Sequence, residues 1–182
     1  MRRTAKTFFF ASVLLGVATL DLRAQVRTAA ISAEGLAALQ YFLDVDCEIG
    51  GRTQAVDQLL KFKIELEPRL ITLLKEGPDQ EALAEMQRGL EQRWSQREAF
   101  LRQDPQIGLT EEQLRVAKSL TKEAYINQGR EQFIRKYRQK AAIGLAAIGS
   151  PEALKTLREV SAKGDEDLRE VIRAATARFP TK

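Results

Sequence analysis

Apolar residues recur every three or four positions along most of this chain, and no stretch keeps the period-two alternation of a half-buried strand. The pattern predicts an all-α protein whose helices are set off by caps, glycines and prolines. Ser32 caps a helix carrying Leu36, Leu39, Phe42 and Leu43, which ends in the acidic, glycine-terminated loop Asp44 to Gly51. Thr53 opens a second helix with Val56, Leu59 and Leu60 on one face. Pro68 either kinks that helix or stands in the first turn of a new one. Leu70, Ile71, Leu73 and Leu74 are apolar on more than one side, which predicts deep burial. Gly77-Pro78-Asp79 reads as a stop, a turn and a new cap.

A long amphipathic helix follows, with Leu83, Met86, Leu90, Trp94 and Leu101 at helical spacings, and the stretch from Gln103 to Gly108 breaks it at Pro105. Thr110-Glu111-Glu112-Gln113 is a capping box, flanked by Leu109 and Leu114 where a hydrophobic staple forms. Ile134, Tyr137, Ala141, Leu145 and Ile148 then share one face up to Gly149. Ser150-Pro151-Glu152 starts the next helix in the order cap, proline at the first position, acid in the first turn. Leu154, Leu157 and Val160 form its stripe, and Gly164 ends it. Asp165 caps a last helix presenting Leu168, Val171, Ile172, Ala175 and Phe179, which Pro180 stops.

The beginning of the chain has a different pattern. Arg2, Arg3 and Lys6 precede the 14-residue stretch Thr7 to Leu20, almost entirely apolar. As a helix such a stretch spans about 21 Å, short of the roughly 30 Å hydrocarbon core of a bilayer. It is expected to be a secretory signal peptide over residues 1–24, cut after Ala24, with cleavage after Ala30 or an uncleaved anchor as alternatives. Export to the periplasm or the medium follows from that reading. The leader also changes the charge. The chain has 29 Lys and Arg against 25 Asp and Glu, a net of +4. Taking away Arg2, Arg3, Lys6, Arg23 and Asp21 leaves 25 against 24, so residues 25–182 are balanced and have no global electrostatic reason to bind nucleic acid.

The 182 residues contain no histidine and a single cysteine, Cys47. Histidine-dependent nucleophiles, general bases and metal ligands are therefore excluded, as is an intrachain disulfide. Cys47 is either a small buried hydrophobe, a free thiol or a bridge to another chain.

Two segments near the end echo each other. Lys140-Ala141-Ala142 and Arg173-Ala174-Ala175 lie 33 residues apart, each in an amphipathic helix, with a short glycine-bounded helix between them. Paired-helix repeats of this length build α-solenoids. The run Ala141-Ala142-Ile143-Gly144-Leu145-Ala146-Ala147-Ile148-Gly149-Ser150-Pro151-Glu152-Ala153-Leu154, with Leu157 and then Asp165 to Ala175, resembles the HEAT-repeat superfamily, closest to its short bacterial PBS-lyase-like type. The resemblance covers residues 130–179. It implies stacked helix pairs and a surface for protein partners, and it implies no reaction. The expected architecture is a HEAT-like α-solenoid or a compact helical domain, with an N-terminal helical region over 25–109 and a HEAT-like region over 110–182.

Several short patterns carry candidate chemistry. Asp44, Asp46 and Glu48 alternate as calcium ligands do, but Ile49 and Ala55 stand where a calcium loop needs glycine and glutamate, so a solvated acidic loop is expected. Ser119-Leu120-Thr121-Lys122 has the S-x-x-K spacing of enzymes whose lysine activates a serine one helical turn away, without their companion motifs. Trp94 with Arg93 and Arg97 is either an aromatic binding spot or part of the core. No catalytic residue, cofactor or metal is assigned.

Charge supplies the most informative feature. Between residues 115 and 140 the cations Arg115, Lys118, Lys122, Arg130, Arg135, Lys136, Arg138 and Lys140 face only Glu123 and Glu131, a net of +6. The expected function is an exported helical-repeat module that binds a protein partner, acidic in character, through these eight residues, with an anionic membrane surface as a further candidate. Reversing charge at Arg135, Lys136 and Arg138 is expected to weaken binding and spare the fold. The alternatives are a cell-envelope enzyme working with carboxylate, serine or lysine groups, and a structural envelope component linked through Cys47.

Overall fold

A computed structural model describes residues 31–45, 54–102 and 110–179. The leader, Cys47 with the rest of the loop after Val45, Thr53, the break around Pro105, Leu109 and Pro180 lie outside these residues. Eight helices and no strand are present among the described residues: α1 (Ala33–Asp44), α2 (Gln54–Lys61), α3 (Lys63–Glu76), α4 (Gln80–Leu101), α5 (Glu111–Ser119), α6 (Lys122–Ile148), α7 (Pro151–Lys163) and α8 (Glu166–Arg178). The protein is all-α, as the period of its apolar residues predicts.

The caps form where the sequence places them. Ser32, Asp79, Ser150 and Asp165 each accept the backbone N–H three residues on. Thr110 and Gln113 make both bonds of a capping box, at 3.2 and 2.9 Å. Each cap of this kind stabilises its helix by about 1 kcal/mol. Gly149 ends α6 in the left-handed region at φ 65°, where a side chain is strained.

Two boundaries differ from the expected ones. The break between α2 and α3 falls at Phe62, and Pro68 sits inside α3. The proline removes one backbone donor beside Ile64, which is 84% exposed. The second difference is a break after Ser119. Thr121 caps α6 by accepting from the Ala124 amide, so Ser119 and Lys122 belong to different helices.

α6 is the centre of the fold. It packs on α1, α2, α3, α4, α7 and α8, most extensively on α3 and α8. The core joins Leu39, Phe42 and Leu43 of α1, Val56 and Leu59 of α2, Leu66, Leu70 and Leu74 of α3, Ala141, Ala142 and Leu145 of α6, Leu157 of α7, and Leu168 and Ile172 of α8. It therefore draws on both the 25–109 and the 110–182 regions. Close approach needs small residues on α6. A Cβ at Gly144 would lie 3.1 Å from Leu70 Cδ1, and one at Gly129 would lie 2.7 Å from Leu90 Cδ1.

Beyond this core, the second half of α4, helix α5 and the first half of α6 form an arm. Its buried side chains are Leu90 and Trp94, and neither belongs to the core cluster. Trp94 meets Tyr125 of α6 with ring centroids 5.5 Å apart. No residue of α5 is buried.

Candidate functional site

Polar side chains of α3 and α6 hold the ends of the other helices. On α3, Glu65 accepts from the Ser32 amide at 2.8 Å and from the Ser32 hydroxyl at 3.0 Å, which locks the cap of α1. Two residues later Glu67 accepts from the hydroxyl of Ser150, the cap of α7. A carboxylate at a helix N-terminus also meets the positive end of the helix dipole. The cations of α6 do the converse. Arg138 Nε donates to the Leu74 carbonyl, near the end of α3, at 2.9 Å. The Lys140 ammonium donates to the carbonyls of Phe42, at 3.4 Å, and Val45, at the end of α1, and stands 5.7 Å from the centre of the Phe42 ring. Helix α1 has no basic residue in its own last turn, so Lys140 supplies the favourable charge from a distant helix.

These roles divide the eight cations of the 115–140 segment. Lys140 is buried, 7% exposed, and its charge is taken up inside the fold. Arg138 is half-buried on the Leu74 carbonyl. Arg135 pairs with Asp167 of α8 at 2.7 Å, and Arg115 pairs with Glu112 at 3.4 Å. Lys118, Lys122, Arg130 and Lys136 are exposed. The structure does not gather the set on one face: at about 100° per residue, Arg130 and Arg135 stand about 140° apart around α6. Charge reversal at Arg138 would break a bond between helices, so it cannot separate binding from folding. Lys118, Lys122 and Arg130 are the positions for that experiment.

The helical spacing of α6 carried a signal for the buried lysine. Phe133, Tyr137, Lys140 and Gly144 step by four, three and four along the helix, which places Lys140 between two inward-facing residues.

The other short patterns resolve into structural roles. Trp94 is 7% exposed, and the Arg97 guanidinium lies over it at 4.7 Å from the ring centroid while donating to the Ala117 carbonyl near the end of α5. The Trp94–Arg97–Tyr125 group is the joint of the arm. The S-x-x-K geometry requires one helical turn from serine to lysine, and the break at Leu120 removes it. Among the described residues no cluster of three or more Asp, Glu or Cys could hold a metal ion, and no helix is long and apolar enough to cross a membrane.

A feature invisible in the sequence lies where α1, α3, the start of α4 and α6 meet. An open cleft of about 370 Å³ is lined by Leu36, Leu39, Gln40, Arg69, Leu73, Pro78, Asp79 and Tyr137 among others. Leu36, on its wall, is 50% exposed. Arg69 pairs with Asp79 at the rim. The Ala82 amide, and after it Arg69, hold the Asp79 carboxyl below its ordinary pKa against the opposing pull of partial burial. Burial first, then the charges of Asp44, Asp79 and Glu85, raise the pKa of the Tyr137 phenol. The cleft thus combines an apolar wall, a phenol and one rim ion pair. Compared with models of known protein families, with curated proteins and with solved structures, the chain matches none.

Proposed function

We propose that this chain is an exported helical module that binds a protein partner, and that its cationic arm docks an acidic surface of that partner. The observation that carries the reading is the state of the arm. Lys118, Lys122 and Arg130 are exposed there, and Val116 and Phe100 keep 61% and 44% of their surface in solvent. Exposed apolar side chains among exposed cations are the composition of a docking patch with an acidic, partly apolar counterpart. The basic n-region and apolar run of the leader support export. The Gly149-Ser150-Pro151 joint between α6 and α7 supports the HEAT-like reading of the last three helices.

The test is a crosslinking pull-down from an envelope extract with the purified protein, at low and at moderate salt, beside a variant carrying Lys118→Glu, Lys122→Glu and Arg130→Glu. The expected result is one protein captured at low salt, lost at moderate salt and lost by the variant, with the helical circular dichroism unchanged. Capture that survives both the salt and the variant would remove the arm from the reading. A mature N-terminus at Gln25, read by mass spectrometry, checks the export.

A further inference from the structure

Helix α5 is the least attached of the described helices. It has nine residues, none of them buried, and Val116 keeps 61% of its surface in solvent. No other helix packs on it extensively, whereas α4 and α6 pack on each other directly, with Leu90 seated against Gly129. Leu114, Ala117 and Leu120 are only partly covered, so the apolar hold on α5 is modest. Most of its side-chain bonds are internal: the Thr110–Gln113 capping box, the Arg115–Glu112 pair, and the Ser119 hydroxyl on the Val116 carbonyl. A helix this short is marginal by itself in water, where about 12–15 residues are needed.

Among the described residues, one hydrogen bond ties α5 to another helix. The Arg97 guanidinium of α4 donates to the Ala117 carbonyl, close to the C-terminal end of α5, where the helix dipole favours a cation. The same guanidinium lies over the Trp94 ring, 4.7 Å from its centroid, and Trp94 also meets Tyr125. Arg97 is thus a clasp between α5 and the aromatic joint. On the far side of α5, Leu120 and Thr121 are both extended, and Thr121 caps α6 through the Ala124 amide. The start of α6 therefore does not require α5 to be in place.

We infer that α5 is a strap over the arm, held by the Arg97 clasp, which lifts away as a unit while α4 and α6 stay folded. Lifting frees the guanidinium from its carbonyl and opens the Trp94 ring beneath it to solvent. Closed, the arm presents Val116 and Lys118; open, it presents Trp94 and Arg97. The cost of opening is local, one charged hydrogen bond and a short helix, so opening is far more frequent than unfolding of the core. The device belongs to the free protein and operates whether or not the arm binds a partner.

Amide hydrogen exchange of the purified protein tests it, together with the fluorescence of Trp94, the single tryptophan. The amides of residues 114–119 are expected to exchange as a group, with protection at least about tenfold lower than that of residues 94–99 and 126–134. Thr110→Ala, which removes the cap, should lower the α5 protection by a further factor of about five. Arg97→Met keeps the stem and removes the donor, and should lower it by about tenfold. Val116→Pro puts a proline inside α5 at an exposed position and should hold the strap open. In that variant the loss of helical circular dichroism should be confined to the nine residues of α5, while Trp94 emission shifts to the red and acrylamide quenches it more. Residues 126–134 should keep their protection throughout. Protection of α5 equal to that of its neighbours, lost protection at residues 126–134 in Thr110→Ala or Val116→Pro, or Trp94 emission unchanged by Val116→Pro would overturn the proposal.

Discussion

The two halves of α6 stand in different surroundings. After Tyr137 the helix is enclosed: Ala141, Ala142 and Leu145 are fully buried in the core cluster, and even a lysine is drawn inside. Before Tyr137 it packs on α4 through a tyrosine, a glycine and partly covered apolar residues, and most of its polar side chains stay in water. Composition sets the difference. The enclosed half is rich in alanine and glycine, which let neighbouring helices close in, whereas the first half carries glutamine, arginine and glutamate on most of its turns. The same helix therefore serves as a core pillar at one end and as an exposed, charged rod at the other. Most of the fold's stability should reside in the first and most of its adaptability in the second.

Lys140→Glu should give the largest effect. It puts a carboxylate against the carbonyls of Phe42 and Val45 and leaves it buried without a partner, where the wild-type ammonium donates to both. The expected loss is about 3–5 kcal/mol in a urea titration. Lys140→Met, which keeps the stem and removes the charge, should cost clearly less. Similar losses for the two would mean that Lys140 contributes packing alone and that α1 does not depend on a borrowed cation.

Trp94→Ala should separate the regions. It removes the side chain that joins α4 to Tyr125 and supports Arg97, at a local cost of about 3 kcal/mol. Because Trp94 lies outside the core cluster, amide exchange should rise sharply in α5 and the first turns of α6. The amides of α3, α7 and α8 should keep their protection. Uniform loss of protection across all helices would show that arm and core unfold as one unit, and the comparison would fail.

How much of this was legible in the sequence follows from distance along the chain. Caps, stops and apolar stripes rest on residues three or four apart, and Thr110, Ser150, Asp165 and Gly149 were readable for that reason. The break after Ser119 was not, because Lys118 and Ser119 are ordinary helix surface and only the Thr121 cap marks the new start. Lys140 was assigned to a docking surface by its charge, although its carbonyl partners lie 98 and 95 residues away. Glu65 and Glu67 each meet a serine cap, 33 and 83 residues distant, which no local spacing announces. The cleft is assembled by three chain segments and has no sequence signature at all.

The smallest effect concerns the residue at the boundary. Tyr137 lines the cleft, pairs with Phe133 at a centroid distance of 4.4 Å, and marks the point where the arm gives way to the core. Its phenol is neutral when protonated, so burial and the nearby carboxylates of Asp44, Asp79 and Glu85 all oppose ionisation and raise its pKa in the folded state. The unfolded chain releases this proton near pH 10, at about the ordinary tyrosine value, while the folded chain still holds it. The resulting contribution is fully present below about pH 10 and is lost as the pH rises through the folded pKa. For a half-buried group screened by solvent it should stay below about 1 kcal/mol. Denaturant midpoints measured across the alkaline range should therefore fall less steeply for Tyr137→Phe than for the wild type, with the curves parallel at neutral pH. Adding Glu85→Gln to the wild type should shrink the same difference, because one of the charges acting on the phenol is gone. Alkaline slopes identical in all three proteins would mean that neither burial nor the nearby carboxylates hold the Tyr137 proton.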